Sequence, residues 1–210
     1  MKANKIFQSL LFILLVHVSF AQQNTKIGLT GGLIRFYPDD NGLLFKLNHN
    51  NTMDNGWGWS AGIFFEKPWT SKFYQIMEAN YNSLSSDIYL QEDVWENGTN
   101  MESIIGNYGN TKYNYLALSW GVKYFITSRL FLNPSFEMAR VLNDDISINK
   151  ILPNVKVGGG VNIQKVNIML EYTYALEEQQ RIFDISVPFA VNHRNKYLQL
   201  KVQIPLIQLK

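Results

Sequence analysis

The chain has 210 residues, of which 19 are basic, 17 are acidic and none is cysteine. The missing cysteines exclude disulfides as a source of stability, and no apolar run after the first 21 residues is long enough for a transmembrane helix. Frequent Gly, Tyr and Phe favour strands and turns over helices.

The first 21 residues have the pattern of a secretory signal peptide. Lys2 and Lys5 precede the apolar run 10–16, and Ser19-Phe20-Ala21 is a small-x-small cleavage site. We therefore predict cleavage after Ala21 and a single domain over residues 22–210; a short membrane anchor is the disfavoured alternative. Cleavage removes two lysines and leaves 17 basic against 17 acidic residues. A neutral exported chain gives no reason to expect nucleic-acid binding.

Eight segments alternate between apolar and polar residues, which predicts β-strands. In chain order they cover residues 25–36, 57–67, 71–82, 112–125, 129–140, 153–164, 165–176 and 195–207. Each is close to the length that a tilted strand needs to cross a bilayer.

The connections between these segments alternate in length. Residues 37–56, 83–111, 141–152 and 177–194 are long and polar, whereas 68–70, 126–128 and the Gln164-Lys165 junction are tight turns. Transmembrane barrels have short periplasmic turns and longer extracellular loops. The pattern predicts an all-β fold, an eight-stranded antiparallel up-and-down transmembrane β-barrel, located in the cell outer membrane.

The charged residues of the strands share one face. They are Glu66, Glu78, Lys123, Glu137, Lys156, Glu171 and Lys201, and the opposite face has no charge through its middle. Small residues accompany these charges, which suits a narrow interior filled by side chains and ion pairs. We therefore predict an interior charge network in which Glu137 pairs with Lys156, and Lys201 meets Glu171 or another acid. The apolar face, for example Leu198, Leu200 and Val202, would meet lipid.

Several stretches together resemble a known family. They are KIGLTGG, GWSAGIFFEKP, FYQIMEANYN, YNYLALSWGVKYFI, SRLFLNPSFE, VKVGGGVNI, MLEYTYAL and NKYLQLKVQI. The chain is similar to the PorT-like outer-membrane β-barrel domain of Bacteroidetes. The resemblance implies an eight-stranded barrel in the outer membrane and no particular reaction, although some relatives serve protein secretion. The sequence departs from other outer-membrane barrels in its non-aromatic ending, Ile207-Gln208-Leu209-Lys210.

Catalytic and metal-binding patterns are weak. After the signal peptide only His49 and His193 remain, both in predicted loops and neither beside a serine on a common strand face. The acid pairs Asp39-Asp40, Glu92-Asp93 and Asp144-Asp145 could hold Ca²⁺, but their spacing matches no ordered loop motif and solvated charge is the better interpretation. We expect no catalytic residue, no metal site and no cofactor.

Three functions remain open at this point. The first is a non-enzymatic outer-membrane barrel with a structural, adhesive or secretion-accessory role. The second is a lipid-modifying outer-membrane enzyme, and the third is a soluble exported lipocalin-like barrel that binds an apolar ligand. The expected partners are outer-membrane lipid and lipopolysaccharide, and a protein partner could bind loops 83–111 and 177–194, which carry apolar residues.

Overall fold

The computed structural model describes residues 25–37, 39–42, 52–53, 55–96, 100–142, 151–183 and 189–209. The predicted signal peptide, His49 and Asp144-Asp145 lie outside these ranges, and so do the side chains of Asp39-Asp40, Glu92-Asp93 and His193. In the described part of the chain, no helix is long and apolar enough to cross a membrane.

The described residues form twelve strands. They are β1 (Thr25–Phe36), β2 (Asp39–Gly42), β3 (Thr52–Met53), β4 (Gly56–Pro68), β5 (Phe73–Glu96), β6 (Asn100–Phe125), β7 (Leu130–Val141), β8 (Ile151–Ile163), β9 (Val166–Ala175), β10 (Gln179–Phe183), β11 (Phe189–Arg194) and β12 (Lys196–Leu209). Eight of them are long and correspond to the eight predicted segments.

These eight long strands close into a barrel. Each pairs antiparallel with its neighbour along the chain, from β4–β5 through β9–β12. β1 lies between β4 and β12 and pairs with both, which closes the ring. Closure leaves no open strand edge within the barrel, as a lipid environment requires. The predicted eight-stranded antiparallel fold is confirmed.

The two ends of the barrel differ in their connections. At one end, here called the turn end, β4–β5 and β6–β7 are joined by residues 69–72 and 126–129, and β8–β9 by Gln164-Lys165. Gln164 has a φ of 59°, a left-handed value that a two-residue hairpin turn demands at its first position. The opposite end is called the loop end. The three predicted short turns are therefore present, and all lie at one end of the barrel.

Three of the predicted loops are wrong in detail, because they contain strands. β5 and β6 continue past the barrel as a hairpin, pairing from Ser83↔Asn114 to Glu96↔Asn100. Nine residues beyond Asp87 extend it by roughly 30 Å. The predicted loop 177–194 contains β10 and β11, which join β2 in a separate three-stranded sheet. The predicted loop 37–56 contains β2 and β3. Backbone pairing holds these strands together, so an alternating apolar face is not needed.

The interior has two layers. The half nearer the loop end is packed with apolar and aromatic side chains, namely Ile34, Phe36, Leu84, Tyr113, Tyr115, Ala117, Ala139, Val141, Leu152 and Tyr197. The middle of the barrel contains the charged residues. Glycine makes room where strands approach closely: a Cβ on Gly62 would collide with the side chain of Asn80 on β5.

Candidate functional site

The outer surface of the barrel has a broad apolar belt. Its large side chains are 37–63% exposed and come from all eight long strands. They include Leu29, Leu33, Trp59, Ile63, Leu116, Trp120, Leu132, Phe136, Val155, Val157, Leu170, Tyr172, Leu200 and Ile204. A soluble monomer rarely exposes more than a few hundred Å² of contiguous apolar surface. The belt therefore fits a barrel whose surrounding solvent is lipid.

Aromatic and basic side chains lie near the two edges of the belt. Towards the loop end, the rings of Trp59 and Tyr81 are 5.4 Å apart, and the Arg35 guanidinium lies 4.8 Å from the Trp57 ring. Towards the turn end, the rings of Phe73 and Tyr124 are 4.7 Å apart. Aromatic girdles of this kind mark the levels of the lipid headgroups.

Inside the barrel, the structure brings together all seven charged residues singled out in the sequence. Each is at most 4% exposed. The interior ion network consists of Glu66, Glu78, Lys123, Glu137, Lys156, Glu171 and Lys201. Each member projects inward from a different one of seven strands, because the charges occupy inward-facing positions of the alternation.

Lys156 on β8 lies at the centre of the interior ion network. Its Nζ is 2.9 Å from a carboxylate oxygen of Glu171, 3.1 Å from Glu137 and 3.7 Å from Glu78. Glu137 also accepts hydrogen bonds from the Asn154 amide at 2.8 Å and the Tyr197 hydroxyl at 3.0 Å. The attraction between the buried lysine and three carboxylates offsets much of the free-energy cost of taking these charges out of water.

Lys201 on β12 makes the second junction of the interior ion network. Its Nζ is 2.8 Å from both Glu78 and Glu171. Glu78 further accepts a hydrogen bond of 2.6 Å from the Gln203 amide. The Gln203 carbonyl in turn accepts one of 3.1 Å from Lys123. Gln203 thus connects the central ion pairs with the pair nearer the turn end.

The pair nearer the turn end is formed by Glu66 and Lys123. Their side chains are in direct contact, and Lys26 adds a second cation 3.2 Å from Glu66. Lys26 is 30% exposed and lies at the mouth of the barrel, whereas Glu66 and Lys123 are buried. This pair closes the lumen on the turn side of the central network.

Several uncharged members of the network escaped the sequence analysis as site residues, among them Asn80 and Ser119, which both donate to Glu78. Gln203, Asn154 and Tyr197 each donate a hydrogen bond to a network carboxylate. They could have been predicted from the sequence, because they occupy inward-facing positions of the same strand alternation as the charged residues. Polar residues on that face need partners once they are buried.

The network fills the lumen instead of lining a channel. An eight-stranded barrel leaves an interior just wide enough for its side chains, and here both charge and aromatic layers occupy it. Within the described ranges, no group of three or more His, Cys, Asp or Glu is placed to hold a metal ion.

A barrel with a filled lumen should not conduct ions. We expect the purified barrel in a planar lipid bilayer to show no steady single-channel conductance, because the ion pairs of Lys156 and Lys201 block the path. Removing only these two lysines, in Lys156→Ala/Lys201→Ala, should not open a channel, because the apolar and aromatic layer nearer the loop end still fills the lumen. Stable channel openings in the unaltered protein would contradict the packed interior.

No protein-family model matches the sequence, and no curated protein matches it. Among solved structures, the fold is similar to the outer membrane protein OprG from Pseudomonas aeruginosa, at 9% identity and a TM-score of 0.51, covering 88% of this chain and 97% of that one. It is also similar to the outer membrane protein AlkL, solved in lipid bilayers, at 11% identity and a TM-score of 0.53, covering 89% and 92%. The chain has the fold of a small outer-membrane β-barrel, in agreement with its predicted location in the cell outer membrane.

Proposed function

We propose that the protein is a non-enzymatic outer-membrane barrel that presents its loop end to the exterior, for adhesion or in support of secretion. The single observation that carries this proposal is the combination of an apolar outer belt with an interior closed by ion pairs. Such a barrel neither conducts nor holds a ligand in its lumen. The parts left to make specific contacts are those beyond the membrane.

The orientation follows from the connections. Outer-membrane barrels place short turns in the periplasm and long connections outside. The turn end therefore faces the periplasm and the loop end faces the exterior. Membership of the PorT-like family is also part of this proposal, and it rests on the strand motifs from KIGLTGG to NKYLQLKVQI. This resemblance favours a role in secretion over one in adhesion.

The β5–β6 hairpin is the principal contact surface in this proposal. Its two strands stay paired to Glu96↔Asn100, well past the level where β4 begins at Gly56. Asp87 accepts a hydrogen bond of 3.0 Å from the Asn110 side chain at the base of the projection. A paired hairpin costs less conformational entropy on binding than a free loop of the same length. The sheet of β10, β11 and β2 is the second surface.

Lipopolysaccharide is the proposed lipid partner at the outer headgroup level. Arg35, Trp57, Ser85 and Lys112 form one row of paired residues across four strands. Arg35 lies against the Trp57 ring, and Lys112 is exposed. Outward-facing basic residues beside interfacial aromatics are suited to bind the phosphates of the lipid headgroups.

An enzymatic role on lipid is the second candidate, and no described residue constellation favours it. Lipid hydrolysis or transfer needs a nucleophile with a base within hydrogen-bond reach. Incubation of the barrel with phospholipid and lipopolysaccharide, followed by mass spectrometry, should leave both unchanged. Turnover that scales with barrel concentration would replace the proposal by the enzymatic one.

Shortening the hairpin tests the proposed role of the loop end. A variant that replaces residues 88–109 with Asn-Gly joins two residues that already pair, Asp87 and Asn110. We expect it to insert normally, judged by heat-modifiable migration, and to lose cell attachment or secretion of cargo. The matched control replaces only the tip, residues 97–99, by Asn-Gly and should keep more of the activity. Full attachment and full secretion after removal of 88–109 would contradict the proposal.

A further inference from the structure

The turn end of the barrel contains an open cavity of about 410 Å³. Both four-residue turns contribute to its wall through Ser71, Lys72, Thr127 and Ser128, and the remaining lining residues are Lys26, Tyr74, Phe125, Ile126 and Asn162. The volume is within the range of small-ligand sites. The cavity is outside the interior ion network, and it lies at the opposite end of the barrel from the β5–β6 hairpin.

The two turns that form the cavity have the same sequence pattern and the same hydrogen bonds. Thr70-Ser71-Lys72 and Thr127-Ser128-Arg129 both read Thr, Ser, basic residue. In each, the threonine Oγ1 accepts from the amides two and three residues later, at 3.2 and 3.1 Å in the first turn and 3.2 and 3.0 Å in the second. These bonds fix the turns. The serine that follows each threonine is thereby placed on the cavity wall.

Basic residues dominate this end of the barrel. They are Lys26, Lys67, Lys72, Arg129 and Lys165, and Glu66 is the one acid among the described residues there. Glu66 is already paired with the buried Lys123, so Lys26 adds an uncompensated charge. Within the described ranges Lys72 has no carboxylate partner. The cavity therefore has a positive potential.

We propose that this cavity binds a phosphate group. Lys72 supplies the cation, and the hydroxyls of Ser71, Thr127 and Ser128 supply donors from both turns. A tetrahedral anion with several oxygens can accept hydrogen bonds from donors on both turns. A ligand with a single carbonyl oxygen would leave most of these donors unpaired. Lys26 adds positive charge from β1.

The rest of the ligand would contact an aromatic wall. The rings of Tyr74 and Phe125 pack edge to face, with centroids 5.3 Å apart, and both line the cavity. Phe125 in turn packs on Phe131, which is buried deeper in the barrel. This rigid wall gives apolar surface to the glycerol or other carbon portion of a phosphate ester.

Two sources share this chemistry: a soluble phosphate ester of the periplasm and the headgroup of an anionic phospholipid. The test uses the full mature barrel in maltoside micelles, which contain no phosphate. Isothermal titration with glycerol 3-phosphate forms one arm, and titration with dihexanoyl-phosphatidylglycerol forms the other. Amide shifts of Ser71, Lys72, Thr127 and Ser128 locate the binding in each arm.

A matched pair of variants distinguishes phosphate binding in the cavity from non-specific electrostatic attraction to the basic turn end. Lys72→Gln removes a cavity lysine, whereas Arg129→Gln removes the equivalent residue of the second turn, which does not line the cavity. We expect Lys72→Gln to weaken binding about tenfold, the effect of one charge-assisted contact. Arg129→Gln should weaken it less than twofold. Both variants lie in exposed turns, and heat-modifiable migration checks that they fold.

Saturable binding of either ligand with this unequal loss supports the proposal and identifies the source. Binding of the lipid alone with the same pattern assigns the site to headgroups of the inner leaflet. Equal losses in the two variants, or no saturation in either arm, would overturn the proposal. None of these readouts depends on what the hairpin binds, so failure here leaves the role of the loop end unaffected.

Discussion

Lys156→Met is expected to lower the free energy of unfolding by about 3–5 kcal/mol, the usual cost of removing one partner from a buried ion pair. Lys156 lies within 3.7 Å of three glutamates, and all four side chains are buried. Its loss leaves Glu137 without a lysine in ion-pair contact, and among the described residues Glu78 and Glu171 then share Lys201 as their cation. Urea unfolding of the barrel in micelles, followed by heat-modifiable migration, measures the change.

Lys26→Met is the matched control for Lys156→Met. It removes a lysine that also bonds a network carboxylate, but this lysine is 30% exposed and its partner Glu66 keeps Lys123. Ion pairs in contact with water contribute about 0–1 kcal/mol. Equal destabilisation by the two substitutions would mean that burial of the network does not determine its energetic contribution. Adding Glu137→Gln to Lys156→Met should recover part of the loss, because it removes the unpaired charge.

Leu200→Arg is expected to impair insertion by about 2–4 kcal/mol, the cost of an arginine at the middle of the lipid face of a barrel. Leu200 faces outward on β12 and is 51% exposed. It is paired with Leu33 of β1 and Leu170 of β9, both of which also face outward. The arginine would thus enter an apolar patch with no partner within it. The fraction of protein recovered folded in lipid vesicles measures the effect.

Leu206→Arg provides the depth control for Leu200→Arg. Leu206 is also exposed on β12, but it lies close to the turn end of the strand. The cost of arginine falls to about 0–1 kcal/mol near the interface. Similar tolerance of both substitutions would contradict a lipid environment around the belt.

The alternation of side chains along each strand is the reason that much of this barrel can be predicted from the sequence. Inward and outward residues of β12 follow directly from the period of two, since side chains of a strand alternate between faces. Lys201 on the inner face and Leu200 on the outer face illustrate this. The same reasoning selected the seven charges that the structure brings together inside the barrel.

The pairing of those charges could be predicted only in part. Glu137 and Lys156 lie on adjacent strands, so their proximity follows from local pairing. The contact of Lys201 with Glu78 joins residues 123 positions apart, on strands that are not neighbours in the ring. It depends on how the barrel closes and on the stagger of its strands, which no single segment encodes.

The extension of β5 and β6 was missed for a different reason. Residues 83–111 are polar with scattered apolar and aromatic residues, and they show no sustained apolar alternation. Its strands are held by the backbone ladder that continues from the barrel, from Ser83↔Asn114 outward. β10 and β11, which the sequence pattern assigns to a loop, pair instead with each other and with β2 in a separate sheet.

The most direct test of the lipid-facing belt is a site-directed spin-label scan along β12. The chain contains no cysteine, so single cysteines at 198, 199, 200, 202 and 203 can be labelled one at a time. In phospholipid vesicles, labels at 198, 200 and 202 should collide strongly with molecular oxygen, which concentrates in lipid, and weakly with a water-soluble nickel complex. Labels at 199 and 203 should be protected from both. High nickel accessibility at 198, 200 and 202, with low oxygen accessibility, would contradict the membrane barrel.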